Sequence, residues 1–238
     1  FGYSNICKRR VISSLLKNFE NIEIDICSKS QKNDYHFKIS NWFRNYDIAL
    51  KKSKANLVYI SLYNSLHYKL AKKCLENNFH VIIDKPATLS FEESSDLITI
   101  AKKKKKLLSE AVVFNYHQQF KYLIKNLKKD KKIIRIKCNF SIPKLPKNNF
   151  RNKTVLGGGC FNDMSPYAAS LNRLLINKDF KSENIIFSHN KGKDLNRSFN
   201  FKIVCKKILF LGNFSFNSKY KNNLLVETKN NFYNLNRV

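Results

Sequence analysis

The sequence has no apolar run approaching the roughly 20 residues that a helix needs to cross a membrane. Its first residues, FGYSNICKRR, have neither the charged start nor the long apolar stretch of an export signal. The six cysteines Cys7, Cys27, Cys74, Cys138, Cys160 and Cys205 are scattered, with no CxxC pair and no Cys/His cluster at zinc spacing. Neither a disulfide framework nor a metal site is expected; the thiols read as reduced and mostly buried, and the chain as soluble and cytoplasmic. Carboxylates are scarce: 17 Asp and Glu against 45 Lys and Arg leave a formal charge of +28. Such an excess raises nucleic acid as a partner, because Lys and Arg neutralise phosphates. The lysines are spread over the whole chain, however, and neither a helix-turn-helix nor an aromatic RNA platform is evident. The densest run, Lys102 to Lys106, ends a predicted helix, where cations suit the dipole. A solvated, lysine-coated surface is therefore expected, with no specific nucleic acid and no membrane as partner.

What is present is ordinary globular composition, 43% hydrophobic and 26% charged, over 238 residues, enough for one large or two small domains. Two are expected, because the pattern changes along the chain. Leu57 to Leu62 and His80 to Ile83 are short apolar, β-branched runs, and between them Leu66, Leu70 and Leu75 recur at roughly helical spacing. Strand, helix and strand make a parallel βαβ unit, whose ligands sit beyond the carboxyl ends of the strands. Tyr63, Asn64, Ser65 and His67 follow the first strand; Asp84, Lys85 and Thr88 follow the second. Ser90, with Glu93 three residues on, is a capping box that opens a helix to Lys106. Leu107 to Phe114 reads as a further strand, and a helix opens near Asn115 to Gln119.

Upstream, Gly2 lies in a turn that feeds an amphipathic helix with Val11, Ile12, Leu15, Leu16 and Phe19. Backbone amides of Gly2, Ser4, Asn5 and Ile6 are placed to hold a pyrophosphate there. The turn is not an intact GxGxxG, since Ser4 and Cys7 replace the second and third glycines, and a plain helix cap is an equal reading. No strand precedes it, so the sequence reads as beginning inside a fold. Ile22, Ile24 and Ile26 mark a second strand that runs out at Cys27, Ser28, Lys29 and Ser30. An acidic residue at this point bonds a ribose hydroxyl, whereas small polar and cationic residues accommodate a 2′-phosphate. Ser28, Lys29 and Ser30 thus point to NADP, with NAD as the alternative; Asp25 stands too early to serve. From Gln31 to Lys54, Trp42, Phe43, Tyr46, Ile48 and Leu50 anchor a connection and a helix.

Beyond about Lys131 strands follow one another: Ile133 to Ile142, Ile185 to His189, Phe199 to Cys205, Ile208 to Phe216 and Leu224 to Thr228. Such runs make a largely antiparallel sheet. One helix interrupts them, led by Gly157, Gly158 and Gly159, which permit close backbone approach to a ligand. Asp163 and Tyr167 share a face if this helix includes both, and Pro166 predicts a boundary or kink between them.

Several stretches together resemble the Gfo/Idh/MocA family of oxidoreductases: the glycine turn with KRR, NSLH after a strand, DKP, Glu110 with Tyr116 and His117, and GGGCFNDMSPYA. Tyr220 to Leu224 and the ending LNRV are similar to members that reduce keto groups on nucleotide-linked sugars. The resemblance implies an α/β Rossmann domain over 1–114 lacking its first strand. It implies next an α+β domain over 115–238, with an open, largely antiparallel sheet, C-terminally incomplete, through which copies of the chain associate. It implies hydride transfer between NAD(P) and a sugar carbon, with Lys85 binding the reacting oxygen, Tyr167 exchanging its proton and Asp163 as the acidic residue before it. Lys85 and Tyr167 are expected to converge on one oxygen. Asn64, His67, Asp84 and Lys85 fall on the cofactor side, and Glu110, Tyr116 and His117 on the sugar side. His67 and His117 read equally well as packing or helix-capping residues. A sugar- or nucleotide-binding regulator without catalysis is the other reading, which the altered glycine turn would suit.

Overall fold

The computed structural model describes residues 1–29, 39–130, 132–176, 184–191, 195–205 and 207–237. Two compact units divide the chain, Phe1–Ala111 and Val112–Val238. The expected boundary at 114 moves upstream because Val112 and Phe114 bury their side chains in the core of the second unit.

The first unit is built on parallel strands. Strands β3 (Leu57–Ile60), β4 (His80–Asp84) and β5 (Leu108–Ala111) form one parallel sheet in the order β3-β4-β5. Strands β1 (Asp25–Cys27) and β2 (Asn41–Phe43) form a parallel pair. Phe1 and Gly2 link the two. The Phe1 amine donates to Tyr59 O at 2.7 Å, Ser61 N donates to Phe1 O at 2.8 Å, and Gly2 N donates to Cys27 O at 2.9 Å.

Helix α3 (Asn64–Glu76) crosses from β3 to β4, and Leu70, Ala71, Cys74 and Leu75 make its buried stripe against Ile60, Val81 and Ile83. Burying a side chain of this size stabilises by about 1.5–3 kcal/mol. The helix stops where Asn78 turns left-handed at φ 65°, and Phe79 N then closes on Cys74 O. Helix α4 (Phe91–Lys104) starts on the expected cap: Ser90 Oγ accepts from Glu93 N. The Glu93 carboxylate reaches back to Leu89 N rather than to the cap residue itself. Its last turn carries Lys102, Lys103 and Lys104, where cations favour the dipole.

Three expectations for this unit change. The strand around Ile22 to Ile26 shortens to Asp25–Cys27, because its partner β2 offers only three residues. Trp42 and Phe43, expected in a connection, lie in that strand. The helix after Gly2 opens as a π-helical run Cys7–Ile12 before α1 (Ser13–Asn18), and Phe19 falls outside it, extended and exposed. Helix α2 (Tyr46–Lys52) is capped by Asn45, whose Oδ1 accepts from Asp47 N and Ile48 N.

The second unit is a six-stranded sheet in the order β11-β10-β6-β9-β8-β7. Its members are β6 (Ile133–Ile142), β7 (Asn184–Lys191), β8 (Asn196–Cys205), β9 (Ile208–Phe216), β10 (Lys221–Thr228) and β11 (Phe232–Asn236). Among the described strands of this sheet, only β6 and β9 pair in parallel. Helices α5 (Gln118–Asp130) and α6 (Cys160–Leu175) supply Phe120, Leu123, Met164 and Leu171 to one core with Ile136, Phe210, Phe214 and Val226. Asp130 fastens the end of α5 to the β10–β11 hairpin: Thr228 Oγ1, Asn231 Nδ2 and Tyr233 hydroxyl all donate to its Oδ2.

Helix α6 runs through Pro166, where a boundary or kink was expected. Buried residues on both sides of the proline, Cys160 and Met164 before it and Ala168 and Leu171 after it, hold the two turns as one stripe. No helix among the described residues is long and apolar enough to cross a membrane.

Candidate active site

Because β3, β4 and β5 run parallel, their carboxyl ends share one edge of the first unit. The register pairs Tyr59 with Ile82 and Ile60 with Ile83, so Ser61 falls opposite Asp84 and Tyr59 lies diagonal to it. Ser61 Oγ donates to Asp84 Oδ2 at 2.6 Å, and the Tyr59 hydroxyl donates to Asp84 Oδ1. Burial first, then the charge of Asp84, pushes the Tyr59 phenol well above its usual range, so it stays a donor.

Ser4 Oγ lies 2.6 Å from Ser61 Oγ and accepts from Cys7 N at 3.1 Å. A hydroxyl has one proton, and that of Ser61 goes to the carboxylate; Ser4 therefore donates to Ser61. The serine standing at the second glycine position of the turn is thus turned inward, toward Asp84.

Three further contacts hold the segment after Asp84. His67 is fully buried; its Nδ1 lies 2.7 Å from Pro86 O and its Nε2 3.3 Å from Leu62 O. A carbonyl only accepts, so the closer contact assigns the proton to Nδ1. Burial lowers the His67 pKa, while the two carbonyls and the charges of Asp84 and Glu110 pull the other way. Glu110 Oε1 accepts from Ala87 N at 2.8 Å. Residues 84–87, with a cis peptide between Lys85 and Pro86, are therefore gripped at Asp84, at Pro86 O and at Ala87 N. Lys85 is half-buried in the middle of this grip.

The other residues expected on the cofactor side have distinct settings. Gly2 has φ +84°, and a Cβ there would come within 2.1 Å of Ser61 O. Glycine is thus required by the chain's own strand end. Asn5 and Ile6 are exposed at the start of the helical run, where backbone amides suit an anion. Asn64 opens α3 and is buried. Ser28 is buried, with its amide donated to Phe43 O, and Lys29 is exposed. Ser30 lies outside the described residues. Asp25 is engaged elsewhere, accepting from Asn41 Nδ2 and from Ser53 Oγ, which removes it from the ribose position.

In the second unit Tyr167 packs its ring between Phe114 and Phe140, at centroid distances of 6.1 and 5.4 Å. It stands on the wall of a cavity of about 520 Å³ that Tyr116 and His117 also line. Tyr116 and His117 are exposed, and His117 Nδ1 accepts from Gln119 N, so this histidine also caps α5.

Asp163 lies one turn before Tyr167 on α6 but does not line that cavity. Its carboxylate is buried against Arg151, whose Nε donates to Oδ1 at 3.0 Å. The close approach expected of the three glycines is likewise internal: a Cβ on Gly158 would come within 2.6 Å of Arg151 O. Asn162 Nδ2 donates to the carbonyls of Gly157 and Gly158 and fixes the same turn. Sequence reasoning missed Arg151, Tyr59 and Ser61; for Tyr59 and Ser61 the available signal was their i, i+2 spacing at the end of a strand.

Comparison with known proteins bears on the fold. Residues 2–112 match the model of an oxidoreductase family described as an NAD-binding Rossmann fold, Gfo/Idh/MocA. A dTDP-3,4-didehydro-2,6-dideoxy-alpha-D-glucose 3-reductase of Saccharopolyspora spinosa is 30% identical over 127 residues, which are 52% of this chain and 38% of that protein. The enzyme of the same name from Actinomadura kijaniata is 25% identical over 63% of this chain and 46% of its own length. The chain thus spans less than half the length of these two relatives. Among solved structures, the 3-ketoreductase KijD10 from Actinomadura kijaniata, in complex with NADP and TDP-benzene, shares the fold at a TM-score of 0.84 and 19% identity, covering 98% of this chain and 81% of that one. The WlbA dehydrogenase from Chromobacterium violaceum, with NADH and UDP-GlcNAcA, has a TM-score of 0.80 at 16% identity, covering 96% and 70%. Over residues 2–112, just under half of the chain, the sequence is thus similar to the Gfo/Idh/MocA family of oxidoreductases.

Proposed function

We propose that the protein is an NADP-dependent oxidoreductase that reduces a keto group on a nucleotide-linked sugar, with the dinucleotide on the first unit and the sugar on the second. The grip on residues 84–87 carries this reading: five side chains, counting Ser4 behind Ser61, are arranged to fix the segment that bears Lys85. A solvated strand-end lysine would need none of them. Relatives named as sugar 3-reductases and solved neighbours that hold NADP or NADH with nucleotide ligands support the same reading.

When bound, the nicotinamide supplies the hydride. Lys85 donates a hydrogen bond to the carbonyl oxygen and stabilises the negative charge that grows there. Tyr167 delivers the proton from its hydroxyl. Asp163 acts at one remove, through Arg151 and the glycine turn. Lys29 and Ser28, in place of a carboxylate, favour the 2′-phosphate of NADP.

The test is oxidation of NADPH by the full chain with a thymidine diphosphate-linked 3-keto sugar. Lys85→Ala and Tyr167→Phe should each lower kcat by about 100-fold or more while leaving the affinity for NADPH within about tenfold. If they serve one step, the double variant is little worse than either single one. A Lys85→Ala enzyme with near-normal turnover sinks the reading.

A further inference from the structure

Asp84 is engaged from inside the protein. Tyr59 and Ser61 sit on the neighbouring strand on the same face of the sheet as Asp84, since Tyr59 stands against Ile82 and side chains two apart point the same way. Each supplies one carboxylate oxygen with a donor: the Tyr59 hydroxyl bonds Oδ1, and the Ser61 hydroxyl bonds Oδ2 at 2.6 Å. Ser61 is only 4% exposed, so water does not compete for it. Behind it stands Ser4, whose Oγ lies 2.6 Å from Ser61 Oγ and accepts from Cys7 N at 3.1 Å, while Ser4 O accepts from Lys8 N at 3.0 Å. Ser4 is thereby fixed to the helical run 5–18 through both its backbone and its side chain. Any shift of the turn that follows Gly2 moves Ser4 Oγ, and with it the donor to Asp84. Lys85 is the next residue. His67 and Glu110 fix the same segment from downstream, at Pro86 O and Ala87 N, whereas Asp84 fixes it from upstream.

We infer that the turn and Lys85 form one coupled unit: a pyrophosphate seated at the turn fixes Ser4, and Ser61 and Asp84 pass that constraint to Lys85. The inference rests on the reading above, which places the dinucleotide on this unit. Ser4, Ser61 and Asp84 are then positioning residues, and Asp84 acts through Lys85 rather than on the cofactor's ribose. Filling the turn restricts motions that the empty turn allows, and every group bonded in series to it shares the restriction. The coupling runs both ways, so whatever holds Lys85 also helps to hold the pyrophosphate. Its consequence is an order of events: Lys85 is aligned for a ketone once the phosphates of the reductant are in place.

Acetylation by acetic anhydride, read at Lys85 by mass spectrometry, measures the hold on this side chain without turnover. The probe ligand is 2′-phosphoadenosine 5′-diphosphate, which carries the pyrophosphate but neither the nicotinamide nor its ribose, and so fills the turn without covering Lys85. At saturation it should slow the labelling of Lys85 in the full chain by about fivefold or more, with exposed Lys69 unchanged. Ser4→Ala and Ser61→Ala each cut the chain of hydrogen bonds and should reduce that slowing to below about twofold, while the fragment still binds by calorimetry. Tyr59→Phe removes a donor from Asp84 but leaves the chain whole, so it should speed labelling with and without the fragment and keep the slowing. A loss of stability alone would not separate these variants. In turnover with NADPH and a thymidine diphosphate-linked 3-keto sugar, Ser61→Ala should lower kcat by about tenfold with little change in KM for NADPH, and should lower it no further in a Lys85→Ala chain. A fragment that binds without slowing Lys85 overturns the inference, as does a slowing that survives Ser61→Ala. A fragment that does not bind at all refutes the placement of the dinucleotide itself, and the coupling with it.

Discussion

Ser4 Oγ and Ser61 Oγ lie 2.6 Å apart, and that contact joins the turn behind Gly2 to the end of β3 and, through Asp84, to the segment bearing Lys85. The serine that stands where the motif would have its second glycine is thus tied to the segment bearing Lys85. Ser4→Gly, which restores the motif on paper, should destabilise the protein by about 1 kcal/mol, since Cys7 N and Ser61 Oγ each lose a partner. Tyr59→Phe should cost about 1–2 kcal/mol by leaving Asp84 with one donor fewer. Urea unfolding of the variants measures both; a more stable Ser4→Gly protein would refute the role given to Ser4.

Gly2 is held to its identity by space as well as by φ. Gly2→Ala puts a methyl group within 2.1 Å of Ser61 O, and the strand end must move. Loss of NADPH binding by at least about tenfold is expected, with a lower melting temperature. An alanine variant that binds NADPH normally would show that this turn does not bear on the cofactor.

Arg151 and Asp163 form the one ion pair in the described structure whose carboxylate is buried. Removing the arginine takes the ion-pair partner from a buried carboxylate, so Arg151→Ala should cost about 1–3 kcal/mol. Adding Asp163→Asn should recover part of that loss. If Arg151→Ala unfolds at the wild-type denaturant midpoint, the pair does not hold the glycine turn.

The parallel core was legible because its signals are local. The strand runs at Leu57 and His80, the leucine spacing between them and the Ser90–Glu93 cap all lie within a few residues of the elements they specify. Strands β6 and β9 are found at the ends expected for the same reason. What was not legible depends on partners distant in sequence. Strand β2 has three residues, and three of the five residues of β11 are asparagine or tyrosine; each exists because a neighbouring strand and core receive it. Helix α6 overrides Pro166 through packing that no local pattern encodes. The candidate site divides the same way. Lys85, Asp84 and Tyr167 stand out as residue types at strand ends and helix faces, whereas Tyr59 and Ser61 join the site only through register. Arg151 enters through a single 3-10 turn, Phe150–Asn152, too short for spacing to carry a signal.

The thiols should be inert in the native protein. All six cysteines are free and buried, and burial pushes Cys27 up to about 11 and Cys74 up to about 12. A raised pKa means less thiolate, the reactive form, at any ordinary pH. A disulfide reagent at mildly alkaline pH should label the folded chain slowly and the denatured chain at six sites. Rapid labelling of two or more thiols in the folded protein would contradict the burial.

His67 should make stability depend on pH in a direction that follows from its setting. Burial depresses its folded-state pKa below the ordinary 6.5, against the opposing pull of the Pro86 and Leu62 carbonyls and of Asp84 and Glu110. The unfolded chain therefore takes up the proton first as the solution is acidified. The stability that neutral His67 contributes is complete above about pH 6.5 and is lost as the pH falls through the lowered folded value. Asp47, Asp96 and Asp130 have pKa values held below 3.8 by their hydrogen-bond partners, so they stay ionised through this window and do not confuse it. His67→Gln keeps a donor for Pro86 O but cannot titrate. The wild type should therefore exceed this variant in melting temperature by more at about pH 7.5 than at about pH 5.5. A gap that stays constant between the two pH values would mean that burial leaves the His67 pKa where the unfolded chain has it, and a gap that widens at about pH 5.5 would mean that His67 carries its proton in the folded protein, with Leu62 O as well as Pro86 O accepting from it.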